Sequence, residues 1–146
     1  MFPTRPSKTH TLSLANEAIA DASKLSSLFN FIYKGSDPTR WRAAWIIEKV
    51  ALKQPTLIID ERDNFIHLAM RPNTPNGLLR LLLTTLHHLP DAEELNIAFF
   101  NFLLDRMIDL QSPPSVQSIA MKLAARQSHY DSCSIANFSA SSTTWN

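Results

Sequence analysis

Glycine and valine each occur only twice in the 146 residues, and cysteine once. So little valine and glycine excludes a β-sandwich or barrel, whose strands need branched residues and whose turns need glycine. Two isolated glycines, Gly35 and Gly77, cannot build a loop that cradles phosphate. The lone Cys133 cannot close an internal disulfide and points to a reducing compartment. A dominant charge of either sign is also missing, with 14 Lys+Arg against 13 Asp+Glu. The longest dense apolar stretches, 78–83 and 95–104, are broken by Arg80 and by Asn96 and Asn101. Both fall short of the roughly 20 residues a membrane span requires. Residues 1–8 lack the apolar stretch of a secretory signal, so the expected location is the cytoplasm.

What the chain does have is 19 Leu, 11 Ile, 8 Phe and 15 Ala, enough for a sizeable helical core. Pro, Asp and Gly cut it into helix-sized pieces, predicting about eight antiparallel helices in one domain, 1–146. A first helix is expected over 7–20. Asp21 is placed to cap the next, in which Leu25, Leu28, Phe29 and Ile32 form one stripe. Gly35 is expected to end that helix with a positive φ. Ser36-Asp37-Pro38 restarts the chain into a helix rich in Trp and Ala. Pro55 is expected to open a helix running to about Met70, and residues 78–89 form the next. Asp91 is expected to cap a sixth helix, with Glu93 and Glu94 in its first turn. Its narrow polar stripe of Asn101, Asp105 and Asp109 predicts near-complete enclosure. Val116, Ile119, Ala120, Leu123 and Ala124 mark a seventh helix. Ile135 and Phe138 suggest a short eighth over 131–140, in a C-terminal helix or tail spanning 131–146.

The pieces repeat. Arg42-Ala43-Ala44-Trp45, Arg80-Leu81-Leu82-Leu83 and Ser118-Ile119-Ala120-Met121 superpose at offsets of 38 residues. Helix pairs at such a period are the mark of an α-solenoid, each pair burying its face on the next. The run from Asp37 to Ala51, with Asp-Pro at its turn and Arg-Ala-Ala behind, resembles the turn and second helix of a HEAT repeat. Short bacterial HEAT-like proteins carry a similar Trp-Arg-Ala-Ala-Trp segment. The resemblance extends over a repeat core of 21–128. It implies an armadillo-like α-α superhelix whose concave face binds protein or, less often, nucleic acid, and it implies no reaction. It also makes Asp37, Arg42, Trp45 and Arg80 structural repeat residues, with Asp37 the local partner of Arg42.

No catalytic, cofactor or metal site stands out. Adjacent helical residues such as His87 and His88 point about 100° apart, so they cannot share one ion. His67 and His129 are isolated, and Cys133 has no positioned base. Asp60, Glu61 and Asp63 with Arg62 read as a solvated face, because acid–base work needs a cleft that shifts a pKa. Nucleophile-elbow, Walker and dinucleotide fingerprints are missing, as is the signature loop of the helical lyases. The expected function is therefore a non-catalytic protein-interaction module, with a homodimer as one prospect. Its candidate partner-binding residues are Arg40, Trp41, Lys49, Lys53 and Arg71, near the inter-helix turns. The alternatives are a nucleic-acid binder like the HEAT-like DNA glycosylases, which the near-neutral charge disfavours, and, less favoured still, a small helical enzyme. Residues 1–53 nevertheless hold eight Lys/Arg against four Asp/Glu, and the remainder six against nine. A basic end of this kind prefers an acidic partner.

Overall fold

A computed structural model describes residues 8–92 and 96–130, with side chains to Arg126. The described helices are α1 (Lys8–Ala20), α2 (Ala22–Lys34), α3 (Asp37–Lys53), α4 (Arg62–Met70), α5 (Asn76–His88), α6 (Ile97–Ile108) and α7 (Pro114–Tyr130). Seven α-helices thus stand among the described residues, without a strand, where about eight were expected. The expected helix over 131–140, with Cys133, Glu93 and Glu94, lies outside them. No described helix is long and apolar enough to cross a membrane. The helices fall into two compact units, 1–90 and 91–146.

In the first unit α3 packs on α1, α2 and α5, and α4 packs on α5. Helix α1 also packs on α2. Phe65 of α4, fully buried, meets α2: its ring lies 6.1 Å from Phe29 and 6.0 Å from Tyr33. Ala43, Ala44 and Ala51 let neighbours approach α3 closely, and Ile47 and Val50 fill the space between. Burying each such large side chain contributes roughly 1.5–3 kcal/mol.

The caps follow the sequence in part. Asp21 accepts the Ser23 amide at 3.0 Å, as its position predicts. Ser36 precedes α3, but its hydroxyl meets Thr39 Oγ1 at 3.4 Å instead of capping an amide. Gly35 does not adopt the expected positive φ: it is extended, at φ −79° and ψ 173°. Glycine is needed there for space. A Cβ would lie 2.5 Å from the Phe31 carbonyl oxygen that accepts the Gly35 amide. The helix expected from Pro55 begins instead as two 3-10 turns, Pro55–Leu57 and Ile59–Glu61, and turns α-helical only at Arg62. The tighter winding buries Ile58 completely while holding Asp60 in solvent.

In the second unit α6 packs on α7 through Phe99 and Leu103, against the buried Val116, Ile119, Ala120 and Leu123. Asp91 is not the cap of α6. That role falls to Asn96, whose side-chain oxygen accepts the Phe99 amide at 3.0 Å, while Asp91 pairs with Arg126 at 2.8 Å. Asp lacks the spacing here, because the helix starts at Ile97. Nor is α6 enclosed: Ile97 is 66% and Ile108 76% exposed. Helix α7 covers only a stripe, whereas the apolar residues of α6 run nearly all round it.

The two glycines yield opposite expectations. Gly35→Ala should lower stability by about 1–3 kcal/mol, because the clash is with backbone. Gly77→Ala meets only the Trp41 indole, at 3.4 Å, in the first turn of α5. It should be neutral or stabilising by about 0.4–1 kcal/mol through the unfolded chain. Thermal melts of both variants check the pair, and a Gly35→Ala protein as stable as the parent would refute the steric reading.

Candidate interaction face

Helix α3 has one side built into the core and one turned out between α1 and α5. Trp41, Arg42, Trp45, Lys49, Leu52 and Lys53 recur on the outer side at helical spacing, and none is buried. Trp41 and Trp45 lie with ring centroids 5.4 Å apart, and the Trp41 indole lies over Gly77 at the head of α5. Leu52 is 58% exposed, and Lys53 beside it reaches Asn16 of α1 at 2.7 Å. The outer side of α5 adds Arg80, Thr84, His87 and His88, all half-buried.

The seam between α3 and α5 is closed by a carboxylate. Glu48 is buried, with Oε2 2.7 Å from His88 Nε2 and Oε1 3.1 Å from Lys49 Nζ. Burial alone would raise its pKa. The hydrogen bonds from His88 and Lys49, and their charges, outweigh that and hold the carboxyl below the ordinary value of 4.5. Among the described residues, the outer sides of α3 and α5 carry Arg42, Lys49, Lys53 and Arg80, with the carboxylates of Asp37 and Glu48 on α3. The carboxylates Asp60, Glu61 and Asp63 belong to the second 3-10 turn and the first turn of α4.

The sequence-predicted residues divide accordingly. Trp41, Lys49 and Lys53 share the outer side of α3, as do the repeat residues Arg42 and Trp45, with Arg80 on α5. Arg40 stands apart. Expected to be exposed, its side chain is only 17% so, donating to the Ile32 carbonyl at 2.9 Å and pairing with Asp37 at 3.3 Å. Asp37 thus takes Arg40 where Arg42 was expected, since residues 37 and 40 are neighbours on the helix. Arg71 is exposed on the turn after α4 and lines a cavity of about 250 Å³ with Tyr33, Asn64 and Leu68. Tyr33 donates to Glu61 at 2.5 Å, and burial with this bond raises the phenol's pKa. His67 lies 2.9 Å from the Asp63 carbonyl along its own helix. Among the described residues no three His, Cys, Asp or Glu side chains gather as a metal site.

Glu48, His88 and Leu52 were not singled out by sequence as site residues. Glu48 and His88 are 40 residues apart, close to the repeat period, which is the signal that could have paired them. An acid amid Ile46, Ile47 and Val50 was the other clue.

A lowered carboxyl pKa stabilises the fold fully above the unfolded value and loses that contribution as pH falls through the folded one. Stability should therefore drop as pH falls below about 4.5, and Glu48→Gln should flatten that part of the curve. His88→Ala, which strips one partner from a buried charge, should cost about 2–4 kcal/mol at neutral pH and move the acid transition upward. Urea denaturation between pH 3 and pH 7, roughly the span over which such carboxyls titrate, checks both. An unchanged acid limb in Glu48→Gln would contradict the assignment.

Comparison with known proteins adds the family. The HEAT repeat domain family matches residues 3–132, which takes in every described helix. No curated protein and no solved structure matches the chain. The all-helical make-up of the described residues, seven packed helices, agrees with that match. The chain belongs to the HEAT repeat domain family.

Proposed function

We propose that the protein is a non-catalytic protein-interaction module whose partner docks on the outer side of α3 and α5. HEAT repeats generally mediate protein–protein interaction or scaffolding. The observation that carries the reading is the make-up of that surface. Paired Trp rings, Lys and Arg share a strip of α3 with Leu52, which is more than half exposed on an otherwise well-buried helix. Trp and Arg are enriched among residues that dominate binding energy, and an apolar anchor ringed by polar groups is the usual arrangement. In this reading Trp41, Trp45, Lys49, Leu52 and Lys53 are contact residues, and Asp37, Arg40 and Arg42 keep α3 in place. Arg71, on the turn after α4, extends the surface only for a large partner. The nucleic-acid alternative has no comparable support, as the whole chain is nearly neutral.

The test is affinity purification from the native cell with the parent protein and with a Leu52→Ala/Lys53→Ala variant. Both positions are exposed, so the variant should keep its stability within about 0.5 kcal/mol. A discrete protein should copurify with the parent and be depleted at least about tenfold with the variant, as loss of ~1.4 kcal/mol implies. Recovery of the same proteins in the same amounts with both would remove this face from the account.

A further inference from the structure

We infer that the outer side of α3 takes a proline-rich protein segment in the extended polyproline II form, seated on Trp41 and Trp45. This rests on the interaction reading above and specifies its partner. Charge does little of the selecting, because most charges of the face are engaged within the protein. Asp37 pairs with Arg40 at 3.3 Å, and Glu48 with Lys49 at 3.1 Å and His88 at 2.7 Å. Lys53 reaches Asn16 at 2.7 Å, and Arg42 is engaged as well. Arg80 on α5 adds one further cation.

The indoles differ. Each carries one N–H donor and no acceptor. Neither Trp41 Nε1 nor Trp45 Nε1 finds an acceptor among the described residues, and neither is sealed from solvent. A partner that covers them without supplying acceptors would leave two buried donors unpaired, each costing about as much as a lost hydrogen bond.

That requirement discriminates between peptide conformations. A helix has spent its backbone carbonyls on its own amides, so it cannot receive the indole donors. An ordinary extended chain has free carbonyls but brings as many free amides, and the side of a helix offers no sheet edge to take them. A proline-rich segment has the carbonyls without the amides, and its conformation is formed before it binds. The lengths agree. The two ring centroids lie 5.4 Å apart, close to the ~6.2 Å that two residues of polyproline II span. From Trp41 to Leu52 is ~16.5 Å along α3, or about five such residues. Proline rings laid over that distance cover the indoles and then Leu52, which is 58% exposed. Phosphates are acceptors too, but a nucleic acid needs a field of free cations that this face lacks.

The probe is a capped decaproline, added to the isotope-labelled parent protein, with a capped Gly-Ser peptide of equal length as control. Trp41→Phe, Trp45→Phe and Trp145→Phe assign the three indole resonances. Decaproline should shift the Trp41 and Trp45 indole N–H signals saturably and bind at least about tenfold more tightly than the control. Its affinity should change less than about twofold between roughly 50 and 300 mM salt, since the ligand is uncharged. Trp41→Phe and Trp45→Phe keep a ring and delete the donor. Each should weaken decaproline by about three- to tenfold, as should Leu52→Ala, with melts confirming that the variants fold.

Equal binding of the two peptides, or no saturable shift up to roughly 1 mM decaproline, would overturn the inference. So would binding that leaves both indole signals in place. Tighter binding of an uncharged helical peptide, or of duplex DNA, at the same signals would overturn it too. Depletion of the cellular partner by Leu52→Ala/Lys53→Ala without any decaproline response would leave the face as an interaction surface and remove only its proline-rich partner. Retention of the cellular partner would remove the face itself.

Discussion

The first unit turns on the burial of α3 by three neighbours, α1, α2 and α5. Accommodating them requires small residues where backbones come closest, and Ala43, Ala44 and Ala51 supply these. It requires branched apolar residues where gaps must be filled, and Ile46, Ile47 and Val50 do that. Only one strip of the helix then stays free of the core. The residues on that strip are consequently not interchangeable with the rest of the surface. They are held by a helix that cannot rotate or slide without opening the whole unit, so their spacing is pre-set for whatever they meet.

Glu48 sits at the boundary between these two roles. Its carboxylate is 8% exposed and would be costly there without partners. Lys49 from its own helix and His88 from the next pair both supply hydrogen bonds, so the acid doubles as a clasp between successive repeats. Such a pair adds less net stability than its geometry suggests, because desolvation offsets most of the attraction. It does fix the register of α3 against α5, as any slip would strand a buried charge. The same clasp engages Lys49 and His88, so the packing of α3 on α5 also fixes two polar groups of the outer side.

Much of this was legible in the residues. The all-helical make-up followed from the scarcity of Val and Gly, and the Asp21 cap from chemistry local to its turn. What failed were inferences in which one local signal competed with another. Asp91 resembled a cap, but Asn96 stood nearer the first committed helical residue. Gly35 suggested a positive φ, yet the constraint was room for the Phe31 carbonyl, a contact fixed only once the chain turns. Pro55 signalled a helix start without revealing that the following turns would be 3-10. In α6, apolar abundance was taken for enclosure, although exposure depends on how many neighbours a helix has. The candidate face was half visible: Trp41, Lys49 and Lys53 could be named from the sequence. Leu52 could not be told from a core leucine, because its exposure depends on which side of α3 the neighbours take.

That α3 is the fixed axis of the first unit can be measured directly by native-state hydrogen exchange. Amides from Ala43 to Ala51 should exchange only through global unfolding, with an opening free energy matching that from denaturant melts and falling equally with added urea. Amides of α1 should open at lower energy. Local exchange within α3, at a fraction of the global free energy and insensitive to urea, would contradict a rigid central helix and the pre-set face built on it.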